Sequence, residues 1–67
     1  MKSLFKVGGI NKSADVATIK QAIAAFQGVV ACEISRDKGE VSIIYDDYFV
    51  KEDELIGSIE ELGYIVL

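Results

Sequence analysis

The stretch Val29 to Tyr45, VVACEISRDKGEVSIIY, decides the architecture. Val29 to Ser35 is rich in β-branched residues, and Val41 to Tyr45 alternates Val41, Ile43 and Tyr45 against Ser42 and Ile44. Between them Arg36-Asp37-Lys38-Gly39 is a polar turn with its glycine late, so the two runs read as a β-hairpin. Upstream, Val16, Ile19, Ile23 and Phe26 recur at steps of three, four and three, one apolar face of a helix. Ser13 stands where an N-cap belongs, Asp15 sits in the first turn where the helix dipole favours negative charge, and Gly28 after Gln27 offers a left-handed stop. Downstream, Lys51 to Leu62 repeats the pattern, with Leu55, Ile56, Ile59 and Leu62 inward and Glu52, Asp53 and Glu54 in the first turn. Gly57 interrupts this second helix at a cost of ~1 kcal/mol relative to Ala.

The ends of the chain complete the pattern. Leu4 to Val7 is a short strand, with Phe5 and Val7 on one face, closed by Gly8-Gly9. Tyr64 to Leu67, after the helix stop Gly63, is another strand. The order strand, helix, strand, strand, helix, strand predicts an α+β, ferredoxin-like βαββαβ sandwich over residues 1–67 as one domain. Its four-stranded antiparallel sheet has the order 4-1-3-2, with both helices on one face. By strand parity the other face carries Leu4, Lys6, Glu33, Ser42, Ile44, Ile65 and Leu67. The strand order is expected to set Leu4, Ile44 and Ile65 side by side as an apolar contact surface.

Composition narrows the function. The chain has 67 residues, and a domain of this size buries only ~60% of the surface of its unfolded chain, which favours a binding module over an enclosed active site. There is no His, no nucleophile-base pair and no phosphate-cradling loop, so no enzyme is expected. A net charge of −4 argues against nucleic acid. No apolar run is long enough to span a bilayer and no secretory signal opens the chain, so no membrane partner and a cytoplasmic location are expected. The single cysteine, Cys32, forms no internal disulfide and suits a reducing compartment. On its strand Cys32 shares parity with Ile34, which points it at the helices as a small hydrophobe.

A set of spaced residues runs through the whole chain. It comprises Val7-x-Gly9-Ile10, Ile19-x-x-Ala22-Ile23, Gly28-Val29, Lys38-Gly39-x-Val41, Tyr45-Asp46, Glu54-Leu55, Ile59-Glu60-x-x-Gly63-Tyr64 and Val66. In order and spacing it resembles the heavy-metal-associated domain family, of copper-chaperone-like character. The resemblance implies a first loop of the form Gly-Met-x-Cys-x-x-Cys, whose thiolates hold Cu(I) or another soft metal and pass it to a matching domain. Aligned on Gly9, Ile10 stands for Met, Lys12 for the first Cys and Asp15 for the second. Lysine has no lone pair to donate when charged, and a carboxylate is a hard ligand, so soft-metal transfer through this loop is expected to be lost.

No cofactor is therefore expected. The function that follows is contact with a protein partner, either a second copy of the chain or a metal-transport protein, in a metal-handling setting. The surface would comprise Ile10, Asn11, Lys12, Asp15 and Tyr64, the last implied by the family to lie beside the metal loop. Lys12 and Asp15 are within reach of an ion pair. The Lys12 ammonium then either imitates the charge of a bound metal or simply fills an exposed loop. Two other readings stand beside this one. The chain would be a genuine carrier or sensor of Cu(I) or another heavy metal through Asp15, Asn11 or Cys32, or a small-molecule-binding regulatory module of the same topology. The carboxylates Asp46, Asp47, Glu52, Asp53 and Glu54 lack the spacing of a Ca²⁺ loop and read as a strand end followed by a helix start.

Overall fold

A computed structural model describes all 67 residues. The chain forms β1 (Lys2–Gly8), α1 (Ser13–Ala24), β2 (Val29–Ser35), β3 (Glu40–Tyr45), α2 (Glu52–Glu61) and β4 (Ile65–Val66). The four strands make one sheet of order β2-β3-β1-β4, all neighbours antiparallel, which is the ferredoxin-like order expected from the sequence. The alternation in β3 places Val41, Ile43 and Tyr45 in the core, where they meet Phe5 and Val7 of β1, Ile19 and Ile23 of α1, and Leu55 and Ile59 of α2. Both helices thus cover one face of the sheet, and Leu4, Ile44 and Ile65 are exposed away from it.

Several boundaries differ from the sequence reading, each for a local reason. Strand β1 begins at Lys2, because Met1 and Tyr45 exchange backbone hydrogen bonds and extend the ladder to the chain start. Helix α1 stops at Ala24 rather than Gln27. The Phe26 N–H returns to the Ile23 carbonyl and tucks the Phe26 ring partly into the core, so the chain turns before Gly28. Ser13 is the first helical residue and not the cap; the cap position belongs to the extended backbone of Lys12. Strand β4 shrinks to Ile65–Val66. Leu62, expected inward, is exposed, because α2 ends at Glu61 and Leu62 follows it. Val50, in the loop before α2, is fully buried instead.

The expected apolar band on the open sheet face does not form as one row. Leu4 lies opposite Ser42, Ile44 opposite Lys2, and Ile65 opposite Gly8. The strand order is as expected, but the register offsets the three aliphatic side chains, and Lys2, Lys6 and Ser42 intervene.

Candidate functional site

The loop between β1 and α1 begins at Gly9, whose φ of 103° lies in the left-handed region that glycine tolerates. A Cβ there would come within 3.2 Å of the Tyr64 ring, so the absence of a side chain lets Tyr64 lie over the loop. Ile10 then turns inward and is only 8% exposed. This corrects its expected role as a contact residue: it anchors the loop to the core, leaving Asn11 and Lys12 as the exposed tip.

Asp15 organises that tip. At the third helical position its Oδ2 accepts the backbone N–H of Asn11 at 3.0 Å and of Lys12 at 3.2 Å. The Lys12 N–H is a donor that the helix start leaves without an intrahelical partner, and the Asn11 N–H belongs to the loop just before it. Its Oδ1 accepts the Tyr64 hydroxyl at 2.7 Å, a charge-assisted bond from the far end of the chain. That hydroxyl does most to hold the Asp15 carboxyl below its ordinary range, with the Asn11 N–H next. The same bond is the main cause that raises the Tyr64 phenol. On the opposite side, Arg36 Nη2 donates to the Asn11 carbonyl at 2.8 Å. The loop is thus tied to its own helix, to the turn before β4 and to the β2–β3 hairpin.

The expected ion pair between Lys12 and Asp15 is absent. Lys6–Glu40, at 3.9 Å, is the one ion pair within 4.0 Å, and the Lys12 side chain makes no hydrogen bond. Both Asp15 oxygens are already occupied by donors that need less reach. Lys12 therefore extends an unpartnered ammonium from the loop.

The soft-ligand chemistry of such a loop does not fit the residues present. Lys12 and Asp15 occupy the two positions that the family pattern gives to thiols. Cys32 is in the middle of β2, opposite Ile43, half-buried and packed against the core as its parity predicted. Burial pushes its thiol pKa up, which disfavours the thiolate that would bind a soft metal. No group of three or more His, Cys, Asp or Glu side chains is placed to hold a metal ion. The carboxylates from Asp46 to Glu54 act separately: Asp46 accepts the Tyr48 N–H, Glu54 the Lys51 N–H and Glu52 the Ser3 hydroxyl. Sequence reading missed Arg36 as a loop-holding residue. The hairpin register carries it to the loop, and no local spacing signals that.

Comparison with known proteins bears on the family and the fold. The model of the heavy-metal-associated domain matches residues 4–64. The copper chaperone CopZ of Staphylococcus aureus is 27% identical over 66 residues, covering 98% of this chain and 97% of that protein. Among solved structures, a CopZ metallochaperone superposes with a TM-score of 0.97 at 25% identity, with both chains fully covered. The yeast copper transporter domain Ccc2a, solved in apo and Cu(I)-loaded states, superposes with a TM-score of 0.90 at 31% identity over 97% of this chain and 89% of that domain.

Proposed function

We propose that this chain, which belongs to the heavy-metal-associated domain family, works in a metal-handling setting as a protein-contact module that carries no soft metal at its loop. The observation that carries the reading is Asp15. At a position where the family pattern has a thiolate, both oxygens of a carboxylate accept hydrogen bonds, from the Asn11 and Lys12 N–H groups and the Tyr64 hydroxyl. Such a loop is structurally finished without a metal. The family frame that surrounds it is kept, with Gly9 open beneath the Tyr64 ring and Ile10 seated in the core. What it presents outward is Asn11, the free ammonium of Lys12 and the first turn of α1, a surface suited to another protein of a metal-handling system and placed where a cargo ion would be passed. The module binds rather than catalyses, and its location would be the cytoplasm.

Anaerobic titration with Cu(I) against a competing chelator tests this. The reduced native protein is expected not to compete. The Lys12→Cys/Asp15→Cys variant is expected to compete strongly, because it restores two soft donors to an otherwise intact loop. Tight binding by the native protein would overturn the proposal. Loss of that binding in Cys32→Ala would then identify the core thiol as the ligand.

A further inference from the structure

The end of the molecule opposite the loop carries a feature that the metal-loop reading does not use. Strands β1 and β3 are antiparallel, so the Gly9 loop after β1 and the turn Asp46–Phe49 after β3 lie at opposite ends of the sheet. At this far end Tyr48 is 83% exposed, Val30 75%, Met1 67% and Phe49 51%. Large apolar side chains at such exposure gathered at one end, two of them in ring contact, are an interaction-surface signal.

The aromatic pair is held outward by a built turn. Asp46 donates its N–H to the Gly28 carbonyl at 2.8 Å, and its own backbone and side-chain oxygens accept the N–H groups of Phe49 and Tyr48. Gly28 has a φ of 98°, and a Cβ there would stand 2.7 Å from Phe49 Cβ, so Phe49 seats directly on the glycine backbone. Val50, next in the chain, is buried and pins the turn. The Tyr48 and Phe49 rings meet edge to face with centroids 5.1 Å apart. Their placement is therefore preorganised, which lowers the ordering cost of a contact.

Charge selects the occupant. Residues 46–54 carry five carboxylates, Asp46, Asp47, Glu52, Asp53 and Glu54, against the single ammonium of Lys51. The rest of the chain holds six acidic and six basic side chains, so this one segment accounts for the whole net charge of −4. At this end the Lys51 ammonium is engaged by the Asp47 carbonyl and the Met1 ammonium by the Tyr45 carbonyl, so an aromatic pair within so acidic a segment disfavours anionic lipid and nucleic acid. It suits guanidinium and ammonium groups, which stack on ring faces while pairing with carboxylates. We infer that the Tyr48–Phe49 end is a second docking surface, and that its partner is a polypeptide segment presenting arginine or lysine beside aliphatic side chains. This goes beyond the reading of the loop and does not depend on it.

The test uses the native chain, ¹⁵N-labelled, and a short synthetic peptide of alternating Arg and Leu, with a Glu-Leu peptide as control. The expected result is saturable amide shifts at Val30, Tyr48 and Phe49 with the Arg-Leu peptide and none with the control. Binding should weaken with added salt. Tyr48→Ser, at a site too exposed to affect folding, is expected to weaken binding about tenfold, as an interface anchor does. Asp47→Asn/Asp53→Asn should weaken it and flatten its salt dependence. Three outcomes would overturn the inference. The peptide would shift the loop end instead, it would bind Tyr48→Ser as well as the native chain, or the same amides would shift on concentrating the protein alone, which would make the occupant a second copy.

Discussion

Asp15 and Tyr64 form one hydrogen-bonded unit, and its titration is the most direct check on the loop. The bond favours the charged carboxylate and the neutral phenol, so the Asp15 pKa falls below its ordinary 3.8 and the Tyr64 pKa rises above its ordinary 10.0. For Asp15, a depressed folded-state value means that its stabilisation is present above 3.8 and is lost as pH falls through the lower folded value. For Tyr64, a raised value means that its share is present below 10.0 and is lost as pH rises through the higher folded value. Tyr64→Phe is expected to raise the Asp15 midpoint, read from its carboxyl carbon by NMR, while the Asn11 N–H still keeps it below 3.8. An unchanged midpoint would mean that the phenol does not reach Asp15 in solution. Part of this unit was legible in the sequence: Asp15 read as a helix-start carboxylate, and Tyr64 was expected beside the loop. The ion pair with Lys12 was the wrong partner choice. Side-chain spacing cannot weigh a lysine against unpartnered backbone donors one turn away, or against a hydroxyl 49 positions along the chain.

At the scale of elements, periodicity located the two helices and the four strands, and it failed at their edges. It speaks only where several residues share one geometry. Ile10 and Val50 are buried from loops, where no period applies, and Leu62 continues an apolar period just past the point where its helix has ended. Glycines sharpen the contrast. Gly57 interrupts α2, and a Cβ there would meet nothing within 4 Å, so crowding does not explain it. Gly57→Ala is expected to stabilise the protein by about 0.5–1 kcal/mol through helix propensity and a less flexible unfolded chain. Gly28→Ala should act in the opposite sense. It adds a methyl group in left-handed backbone and drives it against Phe49 Cβ and the Asp46 carbonyl, for a loss of at least ~1–2 kcal/mol. Urea unfolding of the two variants measures both, and a neutral Gly28→Ala would show that the turn beneath Tyr48 and Phe49 is looser than its geometry indicates.

The whole molecule has little stability in reserve, since ~0.05–0.15 kcal/mol per residue gives a chain of this length only about 3–10 kcal/mol. That makes the two faces of the sheet experimentally separable at adjacent positions. Ile43 is fully buried between β1, β2 and the helices, whereas Ile44 points to the open face opposite Lys2. Ile43→Ala should cost about 2–5 kcal/mol, a large part of the total, while Ile44→Ala on a free surface should change stability by no more than ~0.5 kcal/mol. The same pair of variants tests whether the open face is a contact between copies. Association with a second copy makes apparent stability depend on protein concentration. If Leu4, Ile44 and Ile65 form such a contact, the native midpoint of thermal unfolding rises with concentration and Ile44→Ala abolishes the rise. The observed register argues for the other outcome. With Ser42 opposite Leu4, Lys2 opposite Ile44 and Gly8 opposite Ile65, the apolar side chains are separated by polar or small neighbours. Burying that face against its own copy would also desolvate Lys2, Glu33 and the Lys6–Glu40 pair. A concentration-independent midpoint is therefore expected, measured from micromolar to millimolar protein. It would leave the Asn11–Lys12 tip and the Tyr48–Phe49 end as the surfaces through which this chain meets other proteins.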